Sequence, residues 1–202
     1  MLDPVVRRFI DPPLDRAGRV LAGWGASADA VTLAGLALGL LSAGLIARGL
    51  FDLALAFLLV SRIADGLDGA VARASVKTQF GGMLDIAADF LFYGAIPLAF
   101  AVASPSENAV AAAFLLLSFY FNATTFLGFA ILAEKRGMDT AAQGEKTLYY
   151  SNGLLEGTET IVFFVVLCLL PDYFPTLAYV FGGLCFITAT LRLLAARRIF
   201  AN

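Results

Sequence analysis

Histidine is absent from the 202 residues, cysteine occurs twice, tryptophan once, and only 15% of positions are charged. Each shortage excludes something. Without histidine there is no imidazole nucleophile or base and no histidine zinc site, so any proton must be moved by a carboxylate, lysine, tyrosine or cysteine. Cys168 and Cys185 both fall inside apolar runs, which reads as small core residues and not as a disulfide or a metal pair. No internal repeat, low-complexity stretch or linker interrupts the chain, as expected of one membrane domain over residues 1–202. A signal-peptide pattern is missing too, because Arg7, Arg8, Arg16 and Arg19 break up any apolar region near the amino terminus. What is abundant is apolar surface: 60% of residues are hydrophobic and the mean hydropathy is +0.83, against about 45–50% apolar and about 25% charged in a soluble domain. The chain reads as an integral membrane protein, and nothing in it suggests a nucleic-acid partner.

The apolar runs divide into six spans, at about 30–47, 51–74, 81–103, 109–133, 153–170 and 173–196, with turns that include Ser-Pro-Ser-Glu-Asn at 104–108. Ser27 or Asp29 can cap the first. Residues 1–25 form no span. On a helical projection Val6, Phe9, Ile10, Leu14, Ala17, Val20, Leu21 and Trp24 share one side, opposite Arg7, Arg8, Asp11, Asp15 and Arg19, the pattern of an amphipathic helix lying in the membrane interface. Pro12-Pro13 is expected to break that helix in two. The fold class is therefore an all-α membrane protein: six transmembrane helices, over residues 26–202, preceded by an interfacial amphipathic helix. With a cytoplasmic amino terminus, 13 of the 14 basic residues fall on the cytoplasmic side and only Arg48 outside. That bias orients both termini and the 65–89 stretch toward the cytoplasm, as for a bacterial inner-membrane protein.

Within DGLDGAVARASVKTQFGGMLDIAAD, residues 65–89, four aspartates interrupt sequence apolar enough to cross a bilayer. Asp65 and Asp68 are three residues apart and Asp85 and Asp89 four, so at about 100° per residue each pair shares a helix face. Counted from Lys77, Asp68 and Asp85 lie nine and eight residues away and Asp65 and Asp89 twelve each. An antiparallel helix pair would bring all four to matching depths. One aspartate at the centre of a membrane helix is disfavoured by about 2.5–3.5 kcal/mol, and four also repel. Arg62, Arg73 and Lys77 are the nearest cations in sequence, all expected toward the water side; one or two divalent ions, for which carboxylate oxygens are preferred ligands, would balance the cluster better. Gly66, Gly69, Gly81 and Gly82 leave room for a ligand, and Arg73 offers a planar donor suited to phosphate. Together these features point to phosphoryl transfer at the membrane surface. Three alternatives use the same carboxylates: a cation-coupled multipass transporter, a salt-bridged plug and a packing scaffold.

Asp65-x2-Asp68-Gly69-x2-Ala72-Arg73, followed by Gly81-x3-Asp85-x3-Asp89, resembles the signature of the CDP-alcohol phosphatidyltransferase family, integral membrane enzymes that build phospholipid head groups. Seven residues, Ala74 to Phe80, separate Arg73 from Gly81, one fewer than that family usually has. The resemblance implies transfer of a phosphatidyl group from CDP-diacylglycerol to an alcohol with release of CMP. By the same resemblance Asp65, Asp68, Asp85 and Asp89 form the metal site for a pair of Mg2+ or Mn2+ ions, Asp89 also acts as base, and Gly69, Ala72, Arg73 and Gly81 line the CDP site. It also implies a homodimer among membrane lipids. The absence of histidine excludes the phospholipase-D type of lipid synthase. For the acceptor, Lys135, Arg136 and Lys146 are candidates to hold a phosphate, and Glu156 and Glu159 a polyol or amino-alcohol. Glycerol 3-phosphate or another polyol or phosphopolyol is favoured, with phosphatidylglycerol, as in a cardiolipin synthase, or an amino-alcohol as alternatives.

Overall fold

The computed structural model describes residues 3–138, 155 and 157–201. Seven α-helices make up the described chain: α1 (Asp3–Gly23), α2 (Ala28–Ile46), α3 (Phe51–Ala74), α4 (Gln79–Ala103), α5 (Pro105–Lys135), α6 (Gly157–Leu169) and α7 (Phe174–Phe200), with a 3-10 turn at Pro171–Tyr173 before the last. No strand occurs among these residues. Four segments are long and apolar enough to cross a bilayer: α2, α4, α5 and Pro171–Phe200. The expected second span, α3, has the expected bounds but carries Arg62, Asp65, Asp68 and Arg73, and the described part of the expected fifth, α6, has 13 residues; neither meets that standard.

Local chemistry sets the helix ends. Ser27 caps α2 by accepting from the Ala30 N–H at 3.2 Å, and Thr78 caps α4 by accepting from Gly81 N–H at 2.9 Å. Gly25, Gly49 and Gly137, each with positive φ, turn the chain after α1, α2 and α5. Two expected breaks differ, one shortened and one absent. The turn at 104–108 reduces to Ser104, because Pro105 starts α5 as a preset first residue and Asn108 Nδ2 donates to Phe100 O at 3.0 Å, tying α5 to the end of α4. Likewise α1 runs unbroken through Pro12 and Pro13. The donors those prolines lack would have bonded the carbonyls of Arg8 and Phe9, and both residues are exposed to solvent or lipid.

The core sits at the end of the bundle away from the aspartates. Phe92, Phe100, Phe164 and Phe174 are fully buried; Phe100 stacks on Phe174 at 4.5 Å and Phe163 on Phe181 at 3.9 Å between ring centroids. α2 meets both α3 and α4 through small residues: an added Cβ on Gly35 would lie 3.1 Å from Ala64 Cβ of α3, and one on Gly39 only 2.6 Å from Phe92 Cδ2 of α4 and 2.9 Å from Ser61 Oγ of α3. The amino-terminal helix packs on the protein as well: an added Cβ on Gly18 would meet Ala70 at 2.7 Å, and one on Gly66 would meet Leu14 at 2.7 Å. The expected single apolar side of α1 is thus divided. Leu14 and Leu21 turn partly inward, while Phe9 and Trp24 remain 74% and 79% exposed.

Candidate active site

The short connection Ser75–Thr78 joins α3 to α4; both helices pack on α2, and their long side chains reach one another across the space between them, as in the Arg62–Asp89 pair. One carboxylate oxygen each from Asp65, Asp68 and Asp85 lies within 4.8 Å of the others. Asp68, buried, is oriented from α2: Thr32 Oγ1 donates to its Oδ2 at 2.6 Å and also reaches Ala28 O at 3.1 Å. Thr32 escaped the sequence reading. Its only signal is a hydroxyl one turn inside the first span, where back-bonding to the helix is the ordinary explanation.

Asp89 stands outside that trio, one turn further along α4. Its Oδ1 accepts from Arg62 NH1 at 2.8 Å, and the same nitrogen lies 3.3 Å from Asp65 Oδ1. Arg62 NH2 donates to Ser61 Oγ at 3.0 Å, while Ser61 Oγ donates to Gly35 O at 2.7 Å. The guanidinium lies over the Phe92 ring, 3.9 Å from its centroid. Arg62 does not lie toward the water side. It is the twelfth of the 24 residues of α3 and lies further from the Ser75–Thr78 connection than Asp65 and Asp68 do.

The motif residues nearer the surface are drawn to α1. Arg73 donates from Nε and NH2 to Asp15 Oδ1 at 3.1 and 2.7 Å. With Arg19, Ala70 and Ala74 this pair lines a shallow cavity of about 150 Å³. An added Cβ on Gly69 would lie 3.4 Å from Arg73 NH1, and Ala72 is half-buried beside it. Gly81 is closed in, since a Cβ there would come within 2.9 Å of Thr78 Oγ1 and 3.0 Å of Asp29 Oδ1; Gly82 has open space.

Among the acceptor candidates, Arg136 donates from NH1 to Ile199 O at 2.7 Å and from NH2 to Phe200 O at 3.2 Å, at the carboxyl end of α7. Lys135 is exposed in the last turn of α5 and Glu159 half-buried in the first turn of α6. Lys146 and Glu156 lie outside the described residues. Arg192 of α7 is also buried: it donates from NH1 to Asn122 Oδ1 at 2.8 Å and to Thr125 Oγ1 at 3.1 Å on α5.

A helical bundle with membrane-length apolar helices, carrying three converging carboxylates on the Asp65–Asp89 signature, defines a membrane phosphotransfer protein. The model of the CDP-alcohol phosphatidyltransferase family matches residues 26–195, and the chain belongs to that family. It is thus a transferase of phospholipid biosynthesis and an integral membrane protein. Membership decides between the transferase and transporter readings of the carboxylates in favour of the first. The chain is 44% identical over 192 residues to inner membrane protein YnjF of Escherichia coli, a match covering 95% of this chain and 93% of that one. It is 40% identical over 94 residues to archaetidylinositol phosphate synthase of Methanothermobacter thermautotrophicus, covering 46% and 45%. In fold it is similar to Mycobacterium tuberculosis phosphatidylinositol phosphate synthase, whose crystal structure has CDP-DAG bound: TM-score 0.72 at 19% identity, over 91% of this chain and 93% of that one.

Proposed function

We propose that the protein transfers a phosphatidyl group from CDP-diacylglycerol to an alcohol, releasing CMP, at the cytoplasmic face of the membrane. The observation that carries this reading is the convergence of Asp65, Asp68 and Asp85 in a chain of this family. Three hard anionic oxygens suit Mg2+ or Mn2+, for which ligands about 2.1 Å from a common ion stand up to about 4.2 Å apart; a spread of 4.8 Å needs only small side-chain rotations to close. Bound there, such ions would neutralise the pyrophosphate and the departing CMP. Asp68 is held ready by Thr32. Asp89, beside the trio, takes the proton of the acceptor hydroxyl as that oxygen attacks the lipid-bearing phosphorus.

Gly69, Ala72, Arg73 and Gly81 line the CDP side, where missing side chains let backbone approach a phosphate. Lys135, Arg136 and Lys146, with Glu156 and Glu159, form the acceptor side. Glycerol 3-phosphate or another phosphopolyol is the favoured acceptor, because several cations gather at the cytoplasmic ends of α5 and α7. α3 and α6 complete six spans around one domain, α1 lies in the cytoplasmic interface with Phe9 and Trp24 toward lipid, and the chain works as a homodimer.

The test is CMP release from CDP-diacylglycerol by the purified protein with Mn2+ or Mg2+, across glycerol 3-phosphate, phosphatidylglycerol, inositol phosphate, serine and choline. One acceptor should support turnover, and Asp89→Asn should lower it by about 100- to 10,000-fold. Release of CMP with none of these acceptors, or full turnover by Asp89→Asn, refutes the reading.

A further inference from the structure

Arg62 is not accounted for by the reaction as described. A charge in mid-helix costs several kcal/mol unless paired, and leucine would fill the same space against Phe92. Its surroundings are built from three helices. Gly39 of α2 leaves room for the Phe92 ring, the ring of α4 lies under the guanidinium, and Ser61, anchored to Gly35 O, holds NH2. The plane so fixed directs NH1 at Asp89 and Asp65, while Nε is left buried without a hydrogen-bond partner among the described residues. Buried donors are ordinarily paired, and this one stays unpaired among the described residues while the two terminal nitrogens are engaged. Here the fork is aimed at the acids.

We infer that Arg62 is a positioning residue for Asp89: it pins Oδ1, so that the carboxylate presents Oδ2 to the acceptor. In the transfer step the acceptor O–H bond breaks with its proton passing to Oδ2, the oxygen bonds to phosphorus, and the phosphorus–oxygen bond to CMP breaks. Arg62 touches no reacting atom and acts by orientation, where errors of about 1 Å can cost about 100-fold in rate. The inference rests on Asp89 as the base.

The experiment compares wild type, Arg62→Lys, Arg62→Met, Asp89→Asn and the double variant Arg62→Met/Asp89→Asn as full-length protein. CMP release is measured with the best acceptor of the panel, and Mn2+ binding by calorimetry without substrate. Arg62→Met should lower kcat at least tenfold with KM for CDP-diacylglycerol within twofold. Arg62→Lys should recover part of the loss, and the double variant should be no slower than Asp89→Asn. Mn2+ should bind Arg62→Met as tightly as wild type or more so, since Asp65 is released. Wild-type kcat in Arg62→Met overturns the inference, as does a loss that multiplies with Asp89→Asn or a tenfold loss of Mn2+ affinity. Where Arg62→Met yields no folded protein, Arg62→Lys decides: a three- to tenfold lower kcat supports the inference and wild-type kcat overturns it. Full activity in Asp89→Asn instead removes the base assignment itself, an outcome separable from the others.

Discussion

Gly39→Ala perturbs the candidate site from the far side of α2. The new Cβ would lie 2.6 Å from Phe92 Cδ2, 2.9 Å from Ser61 Oγ and 3.1 Å from Phe92 Cε2. Ordinary carbon–carbon contact begins near 3.5 Å, so about 1 Å must be found by moving the Phe92 ring or prising α2 from α3. The ring is fully buried and held edge-on by Phe164 at 5.8 Å, so the shift passes to its other neighbour, the guanidinium 3.9 Å from its centroid. Overpacking of this kind costs about 1–3 kcal/mol. A displacement near 1 Å at a group that orients a carboxylate lowers turnover by about ten- to a hundredfold. Thermal unfolding in detergent and CMP release, measured together, should both fall. Gly44→Ala, on the same helix with nothing within 4 Å of the new Cβ, should change neither. Equal behaviour of the two variants would refute the packing chain from Gly39 through Phe92 to Arg62.

Three further outcomes are expected. Thr32→Val keeps the shape but removes the 2.6 Å hydrogen bond to Asp68, and should weaken Mn2+ binding by about 10- to 100-fold, as loss of an outer partner of a ligand does; calorimetry reads this directly. Asp15→Asn loosens Arg73 at an exposed pair contributing about 0–1 kcal/mol, so the unfolding temperature should hold while KM for CDP-diacylglycerol changes. Chelation of divalent ions should stop CMP release, and added Mn2+ should restore it within the same sample.

Much of this was legible in the amino-acid sequence, for physical reasons. The aspartates announce themselves because carboxylates are costly in apolar sequence, and their separations from Lys77 were enough to fold them into a cluster. Helix bounds followed from apolar runs to within a few residues, as at Phe51–Ala74. What stayed hidden depends on contacts between helices. Thr32 looks like any hydroxyl in a span until α2 is seen to lie beside Asp68. Arg62 was expected toward the water, and its place between Phe92 and the acids depends on how α2 and α4 stand around α3; the amides and hydroxyls that hold Arg192 belong to α5, seventy residues away in the case of Asn122. Pro12-Pro13 misled for a different reason: its lost hydrogen bonds fall on exposed residues, and α3 supports the helix through Gly18 and Gly66.

The bridge between Arg62 and Asp89 also bears on how the chain enters the bilayer during synthesis. α3 carries Arg62, Asp65 and Asp68 among its apolar residues, and each such charge opposes insertion by about 2.5–3.5 kcal/mol near a helix centre. The partner that offsets the arginine resides on α4, and α4 leaves the ribosome later. Arg62 therefore has no access to Asp89 until α4 has been made, and the pair then joins two helices that each pack on α2. The ion pair that arranges the chemistry is then also a late step of assembly.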